Sequence, residues 1–215
     1  MTAPRPVCLY EDEHLIVLDK PSGLLSVPGR GADKQDCLIH RAQVHWPDAL
    51  VVHRLDMATS GLLIFARSKD VQRQLGDAFA AREVHKRYTA VVHGVIETAT
   101  WTEVDAPLRC DWERRPLQIV DPIQGKPSQT RFVRHPDQHH VPPGCSKVWL
   151  EPITGRSHQL RVHMTHIGHP MLGDALYAPP SIIALSERLC LHATTLEFQH
   201  PVTGAALRIE SSAPF

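Results

Sequence analysis

No apolar run in this chain approaches the ~18 residues that a membrane-spanning helix requires. Its first residues, MTAPRPVCLYEDEHL, have neither the basic start nor the apolar stretch of a secretory signal. A membrane protein and a secreted one are thereby disfavoured, and the cytoplasm is the expected compartment. Cysteine is sparse and scattered: Cys8, Cys37, Cys110, Cys145 and Cys190 are odd in number, with no C-x-x-C pair. That pattern argues against a disulfide framework and a zinc knuckle, leaving buried thiols as the expectation. Excess charge is also lacking. Lys plus Arg and Asp plus Glu each total 23, so no whole-protein field announces a polyanion partner. A nucleic-acid reading has to rest on two local basic groups, Arg67, Lys69, Arg73, Arg82, Lys86 and Arg87, and Arg109, Arg114, Arg115, Lys126, Arg131 and Arg134. Each reads equally as a solvated face. Linkers, repeats and low-complexity segments are absent too, so residues 1–215 are expected to form a single domain.

At 215 residues and 42% apolar, the chain can bury a sizeable core. Residues 7–19 predict two strands joined by a polar turn, closed by Lys20-Pro21-Ser22-Gly23. A short helix follows from Cys37 to Trp46. The clearest helix covers about residues 70–83, with Val71, Leu75, Ala78 and Phe79 at helical spacing and Ser68 as its cap. Strands are expected at 85–94, 117–120, 130–133, 147–153, 190–198 and 205–210. Strands follow strands more often than helices intervene. The expected class is therefore α+β, a mixed, largely antiparallel sheet core flanked by helices.

Residues 51–68, VVHRLDMATSGLLIFARS, read as strand, turn, strand. Alternation along an extended strand would place Arg54 and Asp56 on one face, with His53 and Leu55 on the other. The pair is either an ordinary ion pair capping a turn or a catalytic carboxylate held ionised by a cation. Further on, Thr154-Gly155-Arg156-Ser157 leads into a helix, SHQLRVHMTHIG. Ser157 is its expected cap, Leu160, Met164 and Ile167 its buried stripe, and Gly168 its stop. Arg156 and the first-turn N–H groups make a candidate phosphate site. Arg161 falls beside the buried face, where an unpaired guanidinium would be costly, so it needs an acid partner. His163, His166 and His169 raise a metal site, but their i, i+3, i+6 spacing is unlike the usual zinc helix, and no metal ligand is assigned. The Pro- and His-rich segment 135–144 is expected to be a variable surface loop.

Four pieces now stand in order. Lys20-Pro21-Ser22-Gly23, His53-Arg54-Leu55-Asp56 with Thr59-Ser60-Gly61, Lys86-Arg87-Tyr88-Thr89-Ala90, and Gly155 to His163 (GRSHQLRVH) together resemble the motifs of the RluA-type pseudouridine synthases. GHPMLGDALY resembles the family's continuation. Two departures are minor: Ser157 stands where many relatives have Thr, and Leu160 where many have Ile. The chain is expected to begin at the catalytic domain, without the N-terminal S4-like domain of many relatives. Within the family, PSGLLSVPGR, DWERRP and GKPSQT point to the member that modifies both a 23S rRNA hairpin-loop uridine and a tRNA anticodon-loop uridine.

The resemblance implies that Asp56 is the catalytic aspartate, Arg161 its ion-pair partner, Tyr88 the ring that stacks on the target base, and Arg54 the side chain that enters the RNA where the base has left. Arg156 and the basic groups become phosphate contacts. Isomerising uridine to pseudouridine breaks C1′–N1, turns the uracil and joins C5 to C1′; nothing is lost or oxidised, so no cofactor is required. Asp56 either attacks C1′ or takes a sugar proton, and Tyr88 or water takes the C5 proton. The expected partner is RNA rather than DNA or membrane, and the expected state a monomer. The same chemistry on another rRNA or tRNA uridine, a non-catalytic RNA-binding module, and a metal hydrolase built on the three histidines are the competing readings.

Overall fold

A computed structural model describes residues 5–215 of the chain. The chain divides into two compact units: one runs through Lys86 and takes in His192–Ala213, the other holds Arg87–Leu191 with Pro214–Phe215.

In the first unit, β1 (Val7–Glu11) and β2 (Leu15–Lys20) form an antiparallel pair, and β2 pairs antiparallel with β4 (Ser60–Ala66) in a register running from Leu15↔Ala66 to Lys20↔Gly61. All seven residues of β4 are buried, the mark of a strand covered on both faces. The two-residue β3 (Leu50–Val51) pairs with the far end of β4, Val51 opposite Phe65. At the near end β11 (Leu191–Gln199) runs parallel to it, His192 opposite Ser60, and β12 (Ala206–Glu210) adds antiparallel to β11. Gly61 stands at this parallel contact with φ +108, and a Cβ there would collide with the Ala193 carbonyl oxygen. Helix α1 (Leu38–Gln43) is one short stretch; α2 (Lys69–Ala81) is the long one. Ser68 Oγ accepts from Val71 N at 3.3 Å as the sequence predicts, Val71 and Leu75 are buried, and Arg82 ends the helix in a left-handed conformation.

The second unit carries the antiparallel strands β5 (His85–His93), β10 (Cys145–Pro152), β9 (Gln129–Arg134) and β6 (Thr102–Asp105), paired in that order. A separate two-stranded ribbon, β7 (Leu108–Cys110) with β8 (Gln118–Val120), projects between β6 and β9 in sequence. Helix α3 (Gln159–His166) and the single turn α4 (Pro180–Ile183) follow. The fold is α+β, a mixed and largely antiparallel sheet core with few helices, as the order of predicted elements implies.

Several local expectations are corrected. The strand expected through Asp56 stops at Val51, so residues 52–56 are a loop. Helix α3 is capped not by Ser157 but by His158, at φ 54 and with no side-chain cap. Its buried surface is not a stripe: Gln159, Leu160, Arg161, Val162, His163 and Met164 are all buried, while Ile167 is only half-buried. Gly168 does stop it, at φ +85, with His169 N donating to Met164 O at 2.8 Å. All five cysteines are free, but only Cys37 and Cys190 are buried. Segment 135–144 is a loop, anchored by Gln138, whose side chain bonds both backbone groups of Lys147 at 2.8 and 2.9 Å. Among the described residues, no helix is long and apolar enough to cross a membrane.

Candidate active site

Asp56 follows the point where β3 gives out. After Val51 the chain leaves β4, and the ladder is closed by side chains instead. His53 Nε2 accepts the Ile64 N–H at 3.1 Å, and Gln72 of α2 donates to Val51 O at 2.7 Å. The His53 ring stacks on Phe79 of α2, centroids 4.5 Å apart. Burial first, and then the positive charge of Lys86, pull its pKa down to about 3. A ring that accepts at Nε2 carries its proton on Nδ1, in keeping with a neutral imidazole. Lys86, itself partly buried, is pushed below its ordinary range by desolvation.

The loop that follows is clasped by the Lys20–Ser26 segment. Lys20, fully buried, has three N–H donors and three carbonyl acceptors: Pro21 O at 2.9 Å, Leu24 O at 2.7 Å and Met57 O at 3.0 Å. Gly23 N also donates to Met57 O at 2.8 Å, and Ser22 Oγ to Ala58 O at 2.7 Å. Ser26 Oγ donates to Leu55 O at 2.7 Å and accepts Leu55 N at 3.0 Å. Every residue flanking Asp56 on the loop is thus tied by its backbone to one segment, and Thr59 N closes the turn on Asp56 O at 3.1 Å. Arg54 is exposed, Leu55 buried and Asp56 half-buried. His53 is half-buried like Asp56, and the strand whose alternation was to set their faces is absent.

Behind the turn, Ser60 Oγ lies 2.7 Å from His192 Nδ1, His192 Nε2 lies 3.0 Å from Ser211 Oγ, and Ser211 donates to Asp19 at 2.7 Å. Ser60, His192 and Ser211 are buried, so this chain fixes β4 against β11 and β2.

In the second unit Tyr88 is half-buried on β5, opposite Leu150 of β10. Arg156 is exposed ahead of α3; its N–H is already taken by Gln159 Oε1 at 3.0 Å, so that group does not add to an anion site. Arg161, 3% exposed, meets the requirement for an acid partner through Asp174, 0% exposed, which accepts from Nε at 2.8 Å and Nη2 at 2.6 Å. His163 has both ring nitrogens engaged, with Thr130 Oγ1 and Ala106 O at 2.9 Å each, which removes it as a metal ligand. Among the described residues, no group of three His, Cys, Asp or Glu is placed to hold a metal ion. The basic groups are less free than the sequence suggests: Arg67 pairs with Asp48, Arg73 with Asp70, Arg109 with Asp121, Arg114 with Asp111, and Arg87 and Arg131 both with Glu151.

Lys20, Ser22, Ser26, His53, Asp174 and Tyr177 are the residues of consequence that the sequence reading left without roles. A lysine closing the apolar run LIVLDK was the visible signal for the first, and GDALY for the last two.

A family model described as RNA pseudouridylate synthase matches residues 14–166. The chain belongs to this family of enzymes, which isomerise uridine in RNA, as its motif order implies. It is 46% identical over 212 residues to the dual-specificity RNA pseudouridine synthase RluA of Escherichia coli (strain K12), covering 99% of this chain and 95% of that one. The protein of the same name from Haemophilus influenzae is 44% identical over 207 residues, covering 96% and 93%. Among solved structures, human RNA pseudouridylate synthase domain containing 1 superposes with a TM-score of 0.79 at 29% identity, covering 98% of this chain and 84% of that one.

Proposed function

We propose that this pseudouridine synthase acts on two RNAs, a 23S rRNA hairpin loop and a tRNA anticodon stem-loop, as a cytoplasmic monomer. Support for the dual target comes from the "dual-specificity" of the RluA relatives, which the chain matches over nearly their whole length. Asp56 is the catalytic carboxylate. Tyr88 stacks on the target base, Arg54 enters the RNA where that base has left, and Arg161 and Arg156 bind the substrate.

The observation that carries the assignment of Asp56 is the clasp around it. Leu55, Met57 and Ala58 give their carbonyls to Lys20, Ser22, Gly23 and Ser26, so the half-buried carboxylate between them sits on a backbone that cannot drift. Preorganised groups of this kind are what a transition state requires. Extruding the uridine costs a few kcal/mol, and an aromatic platform returns on the order of 1–3 kcal/mol by stacking. C1′–N1 then breaks, the uracil turns, C5 bonds to C1′, the C5 proton departs, and N1 takes up one proton in exchange. Atoms and electrons balance without any cofactor.

Release of the C5 hydrogen from both RNAs is the direct test. Asp56→Asn is expected to abolish release while the RNA is still bound with near wild-type affinity. An Asp56→Asn protein that still releases hydrogen would remove Asp56 from the chemistry, and a wild-type protein active on only one of the two RNAs would remove the dual target.

A further inference from the structure

Arg161 is buried on a helix that is itself buried, and Asp174 alone would make an ordinary buried ion pair, which is weak evidence of anything beyond itself. Here Asp174 is itself held, and an aromatic ring meets the same guanidinium. Asp174 Oδ1, besides meeting Nη2, accepts the backbone N–H groups of Leu176 at 3.0 Å and Tyr177 at 3.3 Å. That bends the segment so that the Tyr177 ring stands against Arg161, 5.0 Å from guanidinium carbon to ring centroid. The ring is then fixed at its far end: its hydroxyl accepts Gln118 N at 3.0 Å and is hydrogen-bonded to His158 Nδ1 at 2.6 Å. Gly173, at φ +68, starts the bend, and a Cβ there would collide with the Arg188 carbonyl.

We propose that Asp174 and Tyr177 are positioning residues of the isomerisation, one fixing the edge and the other the face of the Arg161 guanidinium. This rests on the reading of Arg161 as a substrate-side group. A guanidinium held by two parallel hydrogen bonds on one edge and a ring on one face can neither swivel about its stem nor tilt. A charge so fixed needs no reorganisation as the reaction proceeds, which is where electrostatic stabilisation has its value. Tyr177 adds a link to the Arg-bearing loop between β7 and β8, because the hydroxyl that anchors the ring also holds Gln118 at the start of β8.

The test is steady-state C5-hydrogen release from an anticodon stem-loop, with melting temperatures recorded alongside, for Tyr177→Leu, Tyr177→Phe, Asp174→Asn and Arg161→Gln. Tyr177→Leu removes the ring and is expected to lower kcat by about tenfold or more, with KM little changed. Tyr177→Phe keeps the ring and is expected to restore most of kcat, with KM unchanged. Asp174→Asn keeps an acceptor for Leu176 and Tyr177 but loses the charge, and is expected to lower kcat as well. If Arg161→Gln turns over like wild type, the reading of Arg161 fails first. If Arg161→Gln is inactive and Tyr177→Leu keeps wild-type kcat, the positioning role of Tyr177 is overturned. Equal losses in the Leu and Phe variants overturn it too, since the ring would then count for nothing. A folded Asp174→Asn protein with wild-type kcat would do the same for Asp174.

Discussion

Lys20→Met is the most informative perturbation of the loop that bears Asp56. Methionine keeps an unbranched apolar stem in the fully buried site and removes all three donors at once. The bond to Leu24 O is buried, so that carbonyl is orphaned, at about 2 kcal/mol. The bonds to Pro21 O and Met57 O are partly buried, water can re-bond those carbonyls, and each loss is closer to about 1 kcal/mol. Removing the ammonium also relieves its own desolvation, which pulls the sum down to about 2–3 kcal/mol. For a chain of this length that is a fall of roughly 4–12 °C in Tm. The kinetic effect is larger than the stability effect implies, because Met57 O is one residue from Asp56. Gly23 and Ser22 still hold the loop, but a shift of about 1 Å at a reacting group costs on the order of 10²-fold in rate. Calorimetry and single-turnover C5-hydrogen release on the same preparations separate the two. A variant that melts early yet turns over at the wild-type rate would show that Lys20 supports the fold without aiming the loop. One with unchanged Tm would show that the three carbonyls do not depend on it.

Two further outcomes follow from other parts of the molecule. Burial holds His53 and His163 below their ordinary pKa, so both rings are neutral in the fold, whereas in the unfolded chain they protonate near pH 6.5. Below about pH 6.5 the unfolded chain therefore binds more protons, and stability falls with pH by up to about 1.4 kcal/mol per unit for each ring, continuing toward pH 3 for His53. Urea midpoints should drop between pH 7 and pH 5, and His163→Gln should flatten that slope; a level profile in the wild type would contradict the neutral assignment. Gly61→Ala would force a non-glycine residue to φ +108 and drive its Cβ into the Ala193 carbonyl, costing about 3 kcal/mol or more. Soluble protein with a wild-type Tm would mean that β4 and β11 can part at little cost.

The regular parts of the fold were legible because their periodicity is long. Helix α2, the all-buried β4 and strand β5 each declare themselves in sequence. The misreadings have a common physical origin in side chains that stand in for backbone. The strand read through Asp56 ends at Val51 because His53 takes the Ile64 N–H with its ring. Ser157 looked like a cap because its side chain is a capping type, yet His158 turns the chain by adopting φ 54, a backbone state uncommon for any residue but glycine. Helix α3 looked amphipathic because Gln159, Arg161 and His163 are polar. Each is buried with partners on distant segments: Gln129 and Thr130 for Gln159, Asp174 for Arg161, Thr130 and Ala106 for His163. Part of the pairing within the basic groups was hidden for a similar reason, since Asp48 and Glu151 lie far in sequence from the arginines they meet.

The motif residues themselves divide by burial in a way that their order cannot reveal. Lys20, Ser26, Ser60, Gln159, Arg161, His163 and Asp174 are all at most 3% exposed, and each spends its polar atoms on backbone or on another buried side chain. Arg54, Asp56, Tyr88 and Arg156, the residues proposed to meet RNA, are exposed or half-buried. A motif match by itself does not separate a residue that holds a loop from one that touches the substrate. The buried set sacrifices solvation for geometry, and it recovers that cost only through bonds of 2.6–3.0 Å to fixed acceptors, so its substitutions should show in rate and in melting together. Changes in the half-buried set should show in rate or affinity with the fold intact. Arg161 is the one residue that falls on both sides of this division: buried like the first set and proposed to serve the substrate like the second. That double demand is why half-buried Tyr177, rather than Arg161 or Asp174, is where the kinetics of this enzyme can be separated from its stability.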